Sequence, residues 1–89
     1  MVTKTATILN ESGLHARPAT EFVETAKRFQ SKIKIRRPGE DAVNAKSVVM
    51  LLSSGFSQGE SVEISAEGED EDSTVTALVD VIKSGFGEL

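Results

Sequence analysis

The hydrophobic side chains of this chain switch repeatedly between two periods, and this switching limits the possible folds more than any other feature. Residues 2–9, 32–37 and 61–67 alternate apolar and polar side chains at every second position, which is typical of half-buried β-strands. Residues 16–29 and 75–82 repeat apolar side chains every three or four positions, which is typical of amphipathic helices. The pattern therefore predicts mixed α and β structure in which each element has one apolar face.

Two shorter segments complete the predicted order. Pro38-Gly39 suits the central positions of a type II turn, so a return strand is expected through Ala42 and Val43. Ser47 precedes a run of five apolar residues that ends before Gly55, which favours a short helix with Ser47 as its N-cap. The order becomes β-α-β-β-α-β-α. We predict an α+β fold, a four-stranded antiparallel sheet with three helices on one face and water on the other.

Size and composition restrict the function classes. The 89 residues predict a single domain over residues 1–89 with a thin core, so any site is expected at the surface. Cysteine is absent and histidine occurs once, which argues against thiol chemistry and a metal site, and no cofactor is expected. The net charge of −4 and the lack of Trp and Tyr argue against a nucleic-acid partner. No apolar run approaches the roughly 20 residues that span a bilayer, and the N-terminus lacks the apolar stretch of a signal peptide, so we expect a cytoplasmic protein without membrane insertion.

The segment Gly13-Leu14-His15-Ala16-Arg17-Pro18-Ala19 joins the first strand to the first helix. Proline is tolerated in the first turn of a helix, so the helix is expected to begin near Arg17. His15 then lies at or just before the helix N-terminus, where unpaired N–H groups favour an anion. The guanidinium of Arg17 offers two donors that suit two oxygens of one phosphate. The segment therefore predicts a phosphate site with an imidazole beside it.

An uncharged imidazole has a free lone pair, and phosphoryl transfer depends mainly on positioning and charge stabilisation. We therefore hypothesise that His15 is reversibly phosphorylated on a ring nitrogen, with Arg17 and the helix N–H groups holding the phosphate. The same residues also fit a simpler interpretation. A histidine near a helix start is often a cap or an ordinary surface residue, and Arg17 and Pro18 each have structural explanations. The residues by themselves leave both interpretations open.

The segment also resembles the active-site motif of the HPr family, the histidine-containing phosphocarriers of the phosphoenolpyruvate-dependent sugar phosphotransferase system. The resemblance covers essentially the whole chain and implies an open-faced β-sandwich. It implies a monomeric carrier, not an enzyme, whose His15 accepts phosphate on its δ nitrogen from enzyme I and passes it to enzyme IIA domains. Arg17 would assist in both transfers, with Ala16 and Pro18 as supporting residues.

A second stretch, Val43-Asn44-Ala45-Lys46-Ser47, resembles the regulatory-serine segment of the same family. The resemblance implies that, in some bacteria, an ATP-dependent serine kinase/phosphorylase modifies Ser47 and that a transcriptional regulator is a further partner. Helix N–H groups would favour the added phosphate, so we expect the helix to survive and the new charge to act on docking partners. The docking surface is expected around the first two helices, with the candidates Thr20, Val48, Val49, Leu51, Leu52 and Phe56.

Three positions on the second helix bear on partner choice. Val49 and Leu52 stand where Gram-positive members of the family commonly have methionine, and Met50 stands where they commonly have glycine. Because the resemblance assigns this face to docking, partner specificity is expected to differ in this chain.

Two other functions stay open at this point. The tail Ser84-Gly85-Phe86 resembles the nitrogen-related branch of the family, in which the same carrier chemistry serves regulation, whereas Val43 to Ser47 favours the sugar branch. The chain could also be a non-catalytic β-α-β module in which His15 and Arg17 hold an anion without any transfer. Labelling by enzyme I and phosphoenolpyruvate discriminates a carrier from such a binder.

Overall fold

The computed structural model describes residues 1–89 and contains the predicted order of strands and helices. A short 3₁₀ turn, Gly85–Gly87, follows the last helix and was not expected. The elements are β1 (Val2–Thr7), α1 (Ala16–Lys27), β2 (Lys32–Arg36), β3 (Val43–Asn44), α2 (Val48–Ser54), β4 (Ser61–Glu67) and α3 (Glu71–Lys83).

The four strands form one antiparallel sheet in the order β1-β4-β2-β3. The register brings apolar residues of neighbouring strands together, with Ile35 opposite Ile64 and Ala6 opposite Val62. These four residues are buried in the core, whereas the Thr, Lys and Arg residues between them on β1 and β2 are exposed. The sheet therefore has one covered face and one open face, and the predicted fold class is confirmed.

Several element boundaries differ from the predicted ones; β2, for example, ends at Arg36 and not at Arg37. β1 ends at Thr7, although the backbone of Ile8 still bonds that of Glu60. α1 ends at Lys27, not Phe29, because Arg28 and Phe29 donate to carbonyls three residues back and tighten the last turn. β3 contains only two residues, neither of them Ala42, because pairing with β2 is limited to Val43 and Asn44.

The ends of α2 agree with the prediction. The Ser47 hydroxyl accepts a hydrogen bond from the Met50 N–H at 3.2 Å, and Gly55 ends the helix in a left-handed conformation with φ of 64°. Ser47 is therefore an N-cap in the resting protein. None of the three helices combines the length and the apolar content that a bilayer-spanning helix needs.

Candidate functional site

The loop between β1 and α1 is fixed tightly to the rest of the protein. Leu14 is fully buried, and its N–H donates to the carbonyl of Phe56 at 3.0 Å. Gly13 has a φ of 66°, and a Cβ there would lie 2.5 Å from the same carbonyl oxygen. Only glycine fits this close approach. Leu14, the residue before His15, is thus fixed to the core, and His15 has a defined position on the surface.

His15 itself is the N-cap residue of α1, as predicted. His15 has an extended backbone and is partly exposed, and its side chain makes no capping hydrogen bond to the helix. Ala16 follows with a φ of 51°, a left-handed conformation that costs a non-glycine residue about 1–2 kcal/mol. Pro18 and Ala19 are buried and hold the first turn against the core. The imidazole is therefore free of the helix it precedes and accessible to a reagent.

Arg17 lies within the first turn of α1, one residue after the helix begins. Its two terminal nitrogens donate to different acceptors: one to the carboxylate of Glu21, the other to the carbonyl of Phe86 at 2.9 Å. In the resting protein the two guanidinium donors of Arg17 are therefore directed at these acceptors and not at His15, where the phosphate was predicted. A phosphate on His15 would have to compete with both acceptors for this guanidinium.

The C-terminal segment closes one side of the loop. The Glu88 carboxylate accepts hydrogen bonds from the Ser12 N–H at 3.0 Å and from the Asn10 side-chain amide at 3.3 Å. These bonds, with the positive charge of Arg17, hold the pKa of Glu88 below its usual value. Phe86 is buried and fixes the segment in the core. The candidate site is therefore built from both ends of the chain.

Comparison with known proteins assigns this arrangement to a family. The family model described as "PTS HPr component phosphorylation site" matches residues 2–84. The chain belongs to the HPr family. The phosphocarrier protein HPr of Haloferax volcanii is 40% identical over 82 residues, which cover 91% of this chain and 92% of the relative. That of Pseudomonas aeruginosa is 37% identical over 82 residues, covering 92% and 91%.

Solved structures of the family have the same fold. The crystal structure of HPr-C-His from Thermoanaerobacter tengcongensis matches with a TM-score of 0.94 and 49% identity, covering 100% of this chain and 99% of that chain. Members of the HPr family are phosphocarrier proteins of the phosphotransferase system and not enzymes, and this chain is accordingly a phosphocarrier protein.

The predicted docking residues fall into two groups. Thr20, Val49 and Leu52 are exposed, and Val48 is partly buried against the core. The prediction is wrong for the side chains of Leu51 and Phe56, which are 0% and 2% exposed. Leu51 occupies the inward face of α2, and the ring of Phe56 packs in the core beneath the end of that helix, so neither side chain can meet a partner.

The exposed apolar part of the second helix is small and well defined. We call Val49, Met50 and Leu52 the exposed α2 face; their exposed fractions are 71%, 40% and 43%. α1 and α2 pack against each other, so this face and the His15-bearing helix belong to one side of the fold's helical layer. Apolar side chains left open to water in this way are typical of protein-binding surfaces.

Sequence reasoning missed the supports of the loop. Asn10, Glu88 and the carbonyl of Phe56 hold the loop, yet each contact joins residues far apart in the chain or uses a backbone atom. No periodicity reports such contacts. The one available signal was Gly13, because a glycine directly before an apolar residue and a helix start indicates a close backbone approach.

Proposed function

We propose that His15 is the residue that carries the phosphoryl group. The supporting observation is an imidazole that makes no capping bond at the start of a twelve-residue helix, on a loop anchored by buried Leu14 and by Gly13. Helix N-termini favour anions because their first N–H groups lack intrahelical partners. The δ nitrogen of His15 attacks the phosphorus of phospho-enzyme I, and the bond to the enzyme breaks. In the second transfer an enzyme IIA nucleophile attacks the same phosphorus and the His15 nitrogen leaves.

Arg17 supplies positive charge to the phosphoryl group in both transfers. Its present acceptors are Glu21, one turn further along α1, and the carbonyl of Phe86 in the C-terminal 3₁₀ turn, so the side chain must rotate away from both to reach the phosphate. Ala16 and Pro18 act indirectly by setting the backbone of the first turn. In this proposal the protein is a single domain over residues 1–89 that works as a cytoplasmic monomer.

The exposed α2 face and Thr20 form the surface that meets enzyme I and enzyme IIA domains. Ser47, partly exposed at the start of α2, is the regulatory position: a kinase would place a charge next to Val49 and Met50 and weaken that contact. Treatment with the serine kinase and ATP is expected to label the wild type but not Ser47→Ala. A transcriptional regulator would then read the phosphoserine.

The test of the carrier function is incubation with phosphoenolpyruvate, enzyme I and Mg²⁺, followed by intact mass spectrometry. We expect one added phosphate that is lost in acid, as phosphohistidine requires. His15→Ala should remain folded and unlabelled, since a surface side chain contributes little to stability. A wild-type chain without label would contradict the proposal and favour the non-catalytic anion binder.

A further inference from the structure

Arg37, at the turn after β2, makes an unusual number of contacts for a surface residue. Its Nε donates to Glu60 at 2.6 Å, and one terminal nitrogen donates to Glu60 at 3.2 Å and to the carbonyl of Ser54 at 2.8 Å. The guanidinium carbon also lies 4.7 Å from the centre of the Phe56 ring. A two-pronged carboxylate pair and a stacked aromatic ring both suit arginine and not lysine. One side chain thus joins β2, the end of α2 and the loop before β4.

The segment Phe56–Glu60, which Arg37 holds at both ends, is in turn the support of the loop that carries His15. The carbonyl of Phe56 accepts from Leu14 N–H at 3.0 Å, and Glu60 and Ile8 are joined by a backbone hydrogen bond of 2.9 Å. Between them, the Gln58 amide donates to the Leu9 carbonyl at 3.0 Å, and Gly59 N–H donates to Ile8 at 2.8 Å. The segment Phe56–Glu60 therefore holds the His15 loop at both of its ends, at Ile8 and Leu9 and again at Leu14.

The carboxylate of Glu60 also stabilises the segment Phe56–Glu60 by a hydrogen bond within it. This carboxylate accepts from the Ser57 N–H at 2.6 Å as well as from Arg37. These hydrogen bonds lower the pKa of Glu60, so the carboxylate is ionised at neutral pH. The loop Phe56–Glu60 is thus closed on itself and tied to Arg37 by charge-assisted bonds, which are among the stronger bonds available to side chains.

We propose that Arg37 is a positioning residue for phosphoryl transfer: through Glu60, Phe56 and the carbonyl that holds Leu14, it fixes the loop that presents His15. The inference rests on the carrier function proposed above. Arg37 contacts neither His15 nor Arg17, and it acts only through the segment it holds. Arg37 also donates to the Ser54 carbonyl at the end of α2.

The experiment compares Arg37→Ala with Arg36→Ala. Arg36 is the adjacent arginine, and it pairs with Glu63 at 2.7 Å on the open sheet face without contact to Phe56 or Ser54. The readouts are kcat and KM for phosphorylation by enzyme I and phosphoenolpyruvate, and the hydrogen-exchange rate of the Leu14 amide. Small displacements of a reacting group can lower a rate by large factors. With Arg37→Ala as the substrate, the kcat of enzyme I should therefore fall about ten-fold, while its KM for the carrier changes less than about two-fold.

Arg36→Ala should keep the wild-type kcat, and the Leu14 amide should exchange faster only in Arg37→Ala. Arg37→Lys keeps the charge but loses the paired geometry, so its kcat should be intermediate. If Arg37→Ala is unfolded at the assay temperature, Arg37→Lys and Glu60→Gln take its place. A folded variant with wild-type kcat, or one with unchanged Leu14 exchange, would overturn the proposal. An unlabelled wild type would instead overturn the carrier function, and the Leu14 exchange would still report whether Arg37 holds the loop.

Discussion

Arg17 has two hydrogen-bond acceptors in the resting protein, and a phosphate on His15 must draw it away from them. Glu21 and the Phe86 carbonyl each take one terminal nitrogen of the guanidinium. Arg17→Lys keeps the charge but loses the planar pair of N–H donors that matches two phosphate oxygens, because a lysine ammonium is a flexible point charge. We expect transfer from the phosphorylated carrier to enzyme IIA to be about ten-fold slower, measured by quenched-flow loss of label. Equal transfer rates for the two proteins would refute this role.

Gly13 is the second residue on which the site depends. A Cβ at this position would lie 2.5 Å from the Phe56 carbonyl oxygen and 2.9 Å from the Ser57 Cα. The backbone of Gly13 is also left-handed, which strains any other residue. Gly13→Ala should lower the free energy of unfolding by roughly 2–5 kcal/mol, the sum of backbone strain and overpacking. Denaturant unfolding measures this difference.

Gly39 provides the matched control for Gly13. It has a φ of 83°, also left-handed, but a Cβ added there would meet no atom within 4 Å beyond the glycine and its two chain neighbours. Gly39→Ala should therefore cost only the backbone part, about 1–2 kcal/mol. If both variants lose the same free energy of unfolding, the overlap of the new Cβ with the Phe56 carbonyl contributes nothing to the loss in Gly13→Ala.

At this scale the sequence identifies the proposed reacting groups better than the residues that support them. His15, Arg17 and Pro18 lie within one short segment whose spacing relative to a helix start can be read directly. The direction of the Arg17 side chain could not be read, because its acceptor on Phe86 is a backbone carbonyl 69 residues away. The same holds for Glu88, whose partner Ser12 lies at the other end of the chain.

Among the elements, α2 is the one most dependent on its cap. It has only seven residues, and the Ser47 hydroxyl satisfies one of the N–H groups that the first turn leaves unpaired. Ser47→Ala should reduce the free energy of unfolding by about 1 kcal/mol. Ser53→Ala is the control, because Ser53 is exposed in the same helix and does not cap it. If both variants unfold at the wild-type denaturant concentration, the cap does not stabilise the protein.

The elements themselves differ in how far their sequences define them. α3 is clear because its five buried residues include Val75, Leu78, Val79 and Ile82 at helical spacing. α2 could be decided only from its caps, since a short apolar run fits a strand or a helix. Phe56 was misassigned for a related reason: in the sequence it follows Gly55 as if in an exposed loop, whereas the ring turns back under Arg37.

On the scale of the whole molecule, Asp70 links two segments that lie about 40 residues apart in the chain. Although it stands at the N-cap position of α3, its carboxylate does not cap that helix. It accepts instead from the N–H groups of Gln30 and Ser31, at 2.8 and 3.0 Å, and from the hydroxyls of Ser31 and Thr74. One carboxylate among the acidic residues at the start of α3 thus ties this helix to the turn between α1 and β2.

This tie predicts how the stability of the whole fold depends on pH. The hydrogen bonds from Ser31 and then Gln30 lower the pKa of Asp70 from 3.8 to about 2. Because the folded-state pKa is depressed, the carboxylate stabilises the folded protein fully above pH 3.8, and this contribution disappears as the pH falls to about 2. Asp70→Asn should therefore unfold at lower urea concentration than the wild type at pH 7, and the difference should shrink between pH 4 and pH 2.

Asp80→Asn separates this local effect from a general change in charge. Asp80 is exposed on the same helix, and its side chain takes part in none of the ion pairs or side-chain hydrogen bonds of the fold. Both variants lose one carboxylate, so a purely global effect of net charge would move their urea midpoints alike. We expect Asp80→Asn to follow the wild type over the whole range, while Asp70→Asn converges on it only in acid. A gap between Asp70→Asn and the wild type that is the same at pH 7 and pH 2 would show that the ionised carboxylate is not what holds α3 to the turn.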